Sequence, residues 1–199
     1  MTTFLLVRHA AHDWLGRGLA GRLPGVGLNA QGLQQAQALA QAWPWPLDAI
    51  VSSPQQRTQE TVAALARRFA LPVTTDPAFD EIDLGAWTGA TFDALRQQGE
   101  SWTQWVERRG SAQPPGGEPF AAVPRRGLAG LRTWQQRYPE GHVLVASHGD
   151  VIKALVAQCL GLALDHLERF EIAPASVSII AMGADWQQVR LVNARLPPA

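Results

Sequence analysis

Short, continuously apolar runs alternate with stretches of helical period along most of this chain. Residues 4–7 are all apolar and few in number, which predicts a buried strand. Gly and Pro crowd residues 16–27 and predict a loop. Asn29 then stands where a helix cap belongs. Leu33, Ala36, Ala40 and Trp43 follow at helical spacing until Pro44 and Pro46 stop the helix. Residues 48–52 predict a second buried strand. Ser53 reads as the next N-cap and Pro54 as the first helical residue, with Val62, Leu65, Ala66 and Phe69 as the inward stripe. Residues 72–75 predict a third, shorter strand. Residues 80–119 lose the pattern, hold Trp87, Trp102 and Trp105, and end in a Pro-Pro-Gly-Gly run. They are too few to own a core, so they predict an inserted cap or lid with one or two short helices. A helix resumes over 120–138, burying Leu128, Leu131 and Trp134. Residues 143–146 predict a fourth strand, and Val151, Ile152, Leu155, Val156, Cys159 and Leu160 a helix face. Two last strands, 176–182 and 189–192, join through a turn at 183–185 and are expected as an antiparallel edge pair.

This alternation predicts an α/β protein: a three-layer α/β/α sandwich on a mainly parallel central sheet. With 199 residues, 46% of them hydrophobic, one domain over 1–199 with an insertion at about 80–119 is expected. The formal net charge is zero, which speaks against a nucleic-acid partner. Cys159 is the only cysteine, so an intramolecular disulfide is excluded and a cysteine zinc site is not expected. The apolar run near Met1 is too short for a signal peptide or a membrane span, and a cytoplasmic protein is expected.

The charged residues at strand ends change the picture. Arg8 and His9 directly follow the first strand, Arg57 lies one helical turn after the second, and His148 directly follows the fourth. In open α/β sheets ligands bind outside the carboxyl ends of the strands, so these four residues belong on one rim. Two arginine forks and two helix N-termini aimed at that rim make a site for a dianionic phosphate. A histidine there serves as nucleophile if one ring nitrogen is unprotonated, which nearby cations favour. The leaving oxygen needs a proton. Glu81 follows the third strand and is the best donor; Asp83 competes, and spacing alone does not separate them.

Four segments, in order, resemble the histidine phosphatase superfamily, whose fold is phosphoglycerate-mutase-like. They are Leu6-Val7-Arg8-His9-Ala10, the stretch 52–58 ending Arg57-Thr58, the stretch 81–89 from Glu81 to Gly89, and Ala146-Ser147-His148-Gly149. The resemblance implies His9 as the phosphorylated nucleophile. It implies Arg8, Arg57 and His148 as the phosphoryl clamp, Glu81 rather than Asp83 as proton donor, and neither metal nor other cofactor. His12 stands where many members carry a small polar residue. Leu15 stands where many carry an asparagine, so one phosphate-contacting amide is lost, with Arg17 or Arg22 as candidates to compensate.

The expectation is therefore a metal-independent phosphatase that hydrolyses a small phosphorylated metabolite through a phosphohistidine. The segment 115–118 resembles α-ribazole phosphatase-like members, and a sugar or glycerate phosphate is the other class. The alternatives are a cofactor-dependent phosphoglycerate mutase, a protein phosphohistidine phosphatase and a non-catalytic phospho-ligand module. Zinc at His12 and Asp13 is the minor reading of that pair.

Overall fold

The structure is a computed structural model and describes residues 1–196, so the end of the expected 1–199 domain lies outside the described residues. Along the chain, β1 (Thr2–Arg8) is followed by a two-residue strand β2 (Gly18–Leu19), helix α1 (Ala30–Ala42), β3 (Ala49–Ser52), α2 (Gln56–Phe69) and β4 (Val73–Thr75). The middle carries β5 (Ala90–Thr91), α3 (Phe92–Arg96) and α4 (Glu100–Glu107). Then come α5 (Ala122–Arg137), β6 (His142–Ser147), α6 (Gly149–Leu160), β7 (Val177–Met182) and β8 (Gln187–Ala194).

The main sheet runs β4-β3-β6-β1-β7-β8. The four strands from β4 to β1 are parallel, while β7 is antiparallel to β1 and to β8. Both faces are covered, which is why β1 and β6 read as unbroken apolar runs. Phe4 and Leu6 of β1 pack with α5 and α6 on one face; Leu5 and Val7 pack with α1 and α2 on the other. Each such fully buried side chain contributes about 1.5–3 kcal/mol relative to exposure.

The insertion joins this core. Ile82, Leu84, Trp87, Leu95, Trp105 and Ala112 lie in the same apolar cluster as Phe4 and Val145. A small ribbon of β2 with β5, which no periodicity announces, ties the loop after β1 to the insertion.

Asn29 caps α1 as expected, accepting from the Gly32 amide, and α1 ends one residue before Trp43. Leu33 and Leu160 are exposed rather than packed, and Leu128 is only partly buried. The start of α2 corrects the expectation. The helix begins at Gln56 behind Gln55, not at Pro54 behind a Ser53 cap. The Ser53 hydroxyl is buried and bonded to Asp80 and His148 instead. A serine before proline fits both uses, and the buried polar partners decide it.

Because β1, β3 and β6 are parallel neighbours, their carboxyl ends share one edge. The ladder even continues past them: the His9 amide donates to Ser147 and the Ser53 amide to Ala146, both at 2.9 Å. His9, Ser53 and His148 are thereby held side by side.

Candidate active site

A pocket of about 630 Å³ opens at this edge. Arg8, His9, His12, Arg57 and Glu81 line its floor, and residues of the insertion form one wall. His148 lies behind them, fully buried, with its ring centroid 5.3 Å from that of His9. The rim expected from the strand ends is thus assembled.

His9 is 2% exposed. Its Nδ1 is 2.9 Å from the Ala10 carbonyl oxygen, which only accepts, so Nδ1 carries the proton and Nε2 keeps its lone pair. Burial, then Arg57 and Arg8, hold the imidazole well below its usual pKa and keep it neutral. That is the state a nitrogen nucleophile requires.

Arg57 is 1% exposed. Its Nη2 donates to the Gly21 carbonyl at 2.7 Å and to His148 Nδ1 at 3.2 Å. Its Nε and Nη1, and Nε of Arg8, are buried with no hydrogen-bond partner among the described residues. Buried guanidinium donors without acceptors are costly, and an anion between the two forks satisfies them. Arg8 is anchored by donating to the Ile172 carbonyl. Gly149 makes room for it: a Cβ there would lie 3.2 Å from the Arg8 guanidinium.

His148 sits in a chain of hydrogen bonds. Arg57 can only donate to Nδ1, so Nε2 carries the proton and gives it to Ser53 Oγ at 2.8 Å. Ser53 in turn donates to Asp80 Oδ1 at 3.0 Å. Ser53 and Asp80 thus set the tautomer of His148, a role that the sequence reading did not assign. Their adjacency to Pro54 and Glu81 was the only signal.

Glu81 lies with Oε2 3.5 Å from His148 Nδ1 and 3.9 Å from Arg57 Nη2. Burial raises its pKa to about 7, with Arg57 opposing and Asp150 adding to the shift. Oε1 accepts from the Ile82 amide at 3.0 Å. Asp83, the competitor, is half exposed and accepts from the Gly85 amide outside the pocket lining. Arg22 also stands outside that lining. It faces Asp80 at 3.3 Å, Glu118 at 3.3 Å and Asp83 at 3.9 Å, and donates to the Glu81 carbonyl. The structure engages Arg22 with the acid segment rather than with the pocket. Asp13 accepts a hydrogen bond from the Asn29 side chain at 3.1 Å.

The family description of the histidine phosphatase superfamily, branch 1, matches residues 4–195. The chain belongs to that superfamily, and its fold is phosphoglycerate-mutase-like. It is 37% identical over 202 residues to the bifunctional protein Rv2228c of Mycobacterium tuberculosis, covering 96% of this chain and 54% of that protein. The chain thus spans about half the length of that curated relative. It is 33% identical over 184 residues to phosphoserine phosphatase 1 of Hydrogenobacter thermophilus, covering 92% and 87% of the two chains. Bacillus stearothermophilus YhfR superimposes with a TM-score of 0.92 at 29% identity, over 98% of each chain.

Proposed function

We propose that this chain is a metal-independent phosphatase that hydrolyses a small phosphomonoester through a phosphohistidine at His9. The observation that carries the reading is the set of orphaned Arg8 and Arg57 donors around an unprotonated His9 Nε2. The phosphoryl group binds between the two guanidiniums, with His148 behind. The lone pair of His9 Nε2 attacks phosphorus as the bond to the ester oxygen breaks. That oxygen leaves with the electron pair and takes the proton of Glu81. Glu81, now a carboxylate, takes a proton from water, whose oxygen attacks phosphorus. The P–N bond breaks, its electrons return to Nε2, and Glu81 is again protonated.

The outer pocket favours some leaving groups over others. Trp14, Phe92, Trp102 and Trp105 line it. Two of its outer cations are already paired, Arg109 with Asp150 at 2.9 Å and Glu168 at 3.8 Å, and Lys153 with Glu168 at 3.3 Å, while Arg195, which also lines the pocket, has no ion pair among the described residues. The aromatic lining supports a leaving group with a flat apolar face, such as α-ribazole or a comparable base-bearing alcohol. A glycerate ester fits less well, as does the bisphosphoglycerate that a mutase needs, because Arg195 alone among these outer cations is left unpaired for a second anion. An open protein substrate is disfavoured by the wall from the insertion, which we read as the lid. Segment 115–118 is not among the residues that line the pocket. The Pro115 carbonyl and Glu118 bond to residues 83–86 and brace the acid segment.

The test is hydrolysis of p-nitrophenyl phosphate with chelator present, beside His9→Ala. Turnover by the wild type and none by the variant is expected. Activity abolished by chelator, or retained by the variant, overturns the mechanism. A panel of α-ribazole phosphate, phosphoserine and 3-phosphoglycerate then ranks substrates by kcat/KM, and the base-bearing ester is expected first.

A further inference from the structure

His12 is not used by the mechanism above. It is nevertheless 5% exposed, lines the pocket floor, and stacks at a tilt with its ring centroid 4.8 Å from that of His9. A buried polar ring beside a nucleophile needs an account of both its nitrogens.

One nitrogen is settled by the backbone. The Trp14 amide points at His12 Nδ1 at 3.2 Å, and an amide N–H only donates. Nδ1 is therefore the acceptor, and in the neutral ring the proton sits on Nε2. Among the described residues no protein acceptor is found for that Nε2–H. The ring is neutral because burial, then Arg57 and Arg8, push its pKa down to about 4. The ring lines the same pocket as Arg8 and Arg57, and its centroid lies 4.8 Å from that of the His9 ring, which places it beside the anion site.

We propose that His12 is a further catalytic residue, whose Nε2–H donates a hydrogen bond to the phosphoryl group held between Arg8 and Arg57. The assignment rests on the phosphohistidine reading for its timing, but not for the contact itself. A neutral donor here adds a fourth side chain to the phosphate site without adding charge. Arg8 and Arg57 already match the dianion, and a third cation beside His9 would draw down the nucleophile's lone pair. A turn-held imidazole also costs no reorganisation as the transition state forms. The Trp14 amide fixes both its tautomer and its orientation.

Two replacements separate the donor from the turn. In His12→Asn the side-chain oxygen reaches the place of Nδ1 and still accepts from Trp14, but no N–H reaches the place of Nε2. In His12→Gln the amide nitrogen reaches the place of Nε2. Thermal melts establish that each variant is folded. The expected result is a loss of about a hundredfold in kcat/KM for p-nitrophenyl phosphate in His12→Asn. Vanadate binding, read by calorimetry, should weaken by a comparable factor, and His12→Gln should recover most of both. Folded His12→Asn with kcat/KM and vanadate affinity within threefold of wild type overturns the proposal. So does a folded His12→Gln no better than His12→Asn. Vanadate binding also separates the two readings. A wild type that hydrolyses no ester but binds vanadate in a His12-dependent way sinks the phosphatase reading and leaves this contact standing.

Discussion

At the scale of single residues, the two protonation states needed for phosphoryl transfer come from burial acting in opposite directions. The same desolvation that keeps His9 unprotonated keeps Glu81 protonated up to about pH 7. Glu81→Gln removes the acid while leaving the clamp. Its kcat/KM should fall by about a hundredfold or more for alkyl phosphates, whose leaving oxygen needs the proton, and much less for p-nitrophenyl phosphate. The wild type should show an alkaline limb near pH 7 with alkyl esters that the variant lacks. Equal losses on both ester types, or an unchanged pH profile, would contradict the role. Much of this site was readable because Arg8 ends β1, His9 and His148 directly follow β1 and β6, and Arg57 lies about one turn beyond β3, whereas Glu81 stands beyond a short turn after β4 and was singled out by the resemblance. Ser53 and Asp80 were not readable as a pair. A serine before proline reads equally well as a helix cap, and only the fold brings Asp80 to it.

At the scale of elements, the site depends on how closely segments approach. Gly149 opens α6, and its missing side chain is what lets the Arg8 guanidinium stand against the helix. Gly149→Ala should not lower thermal stability much, since alanine is the better helix former by about 1 kcal/mol. It should nevertheless raise KM and weaken vanadate by about tenfold, an order-of-magnitude expectation for one displaced charge-assisted donor. An unchanged vanadate affinity would show that Arg8 does not need the space. The acid segment is braced from α5. Arg126 donates to the carbonyls of Ala78, Asp80 and Glu81 and pairs with Glu118 at 3.0 Å. Arg126→Ala should therefore lower kcat/KM for alkyl esters more than for p-nitrophenyl phosphate, copying Glu81→Gln in weaker form. The helices and long strands were legible because each has one sustained period. The ribbon of β2 and β5 was not, because two residues carry no period, and the loop of 16–27 showed only its glycines and prolines.

At the scale of the whole molecule, the site opposes stability at both ends of the pH range. His9, His12 and His148 are buried neutral with lowered pKa values, so their contribution is present above the ordinary histidine pKa and lost as pH falls below it. Glu81 has a raised pKa, so its contribution is present below the ordinary glutamate pKa and lost as pH rises toward and through about 7. Three groups against one predict a urea midpoint that falls from pH 7 to pH 5, and falls less in His12→Asn. At pH 8, Glu81→Gln should be more stable than the wild type, with the gap closing towards pH 4.5. A midpoint flat across this range in all three proteins would show that these groups are not buried as described. The layer order followed from alternating strand and helix signals, and the doubly covered sheet explains why β1 and β6 lacked a polar face. The insertion was expected as a cap, and its tryptophans serve two ends at once: Trp87 and Trp105 are buried in the shared core, while Trp102 and Trp105 line the pocket.

The central claim is a covalent phosphoryl group on His9. A single turnover with excess enzyme, quenched within milliseconds in alkali and digested, should yield a phosphorylated peptide containing His9. The label should survive base, be lost in mild acid, and be absent from His9→Ala. An acid-stable label, a label on another residue, or hydrolysis with no labelled enzyme at any time point would contradict the account.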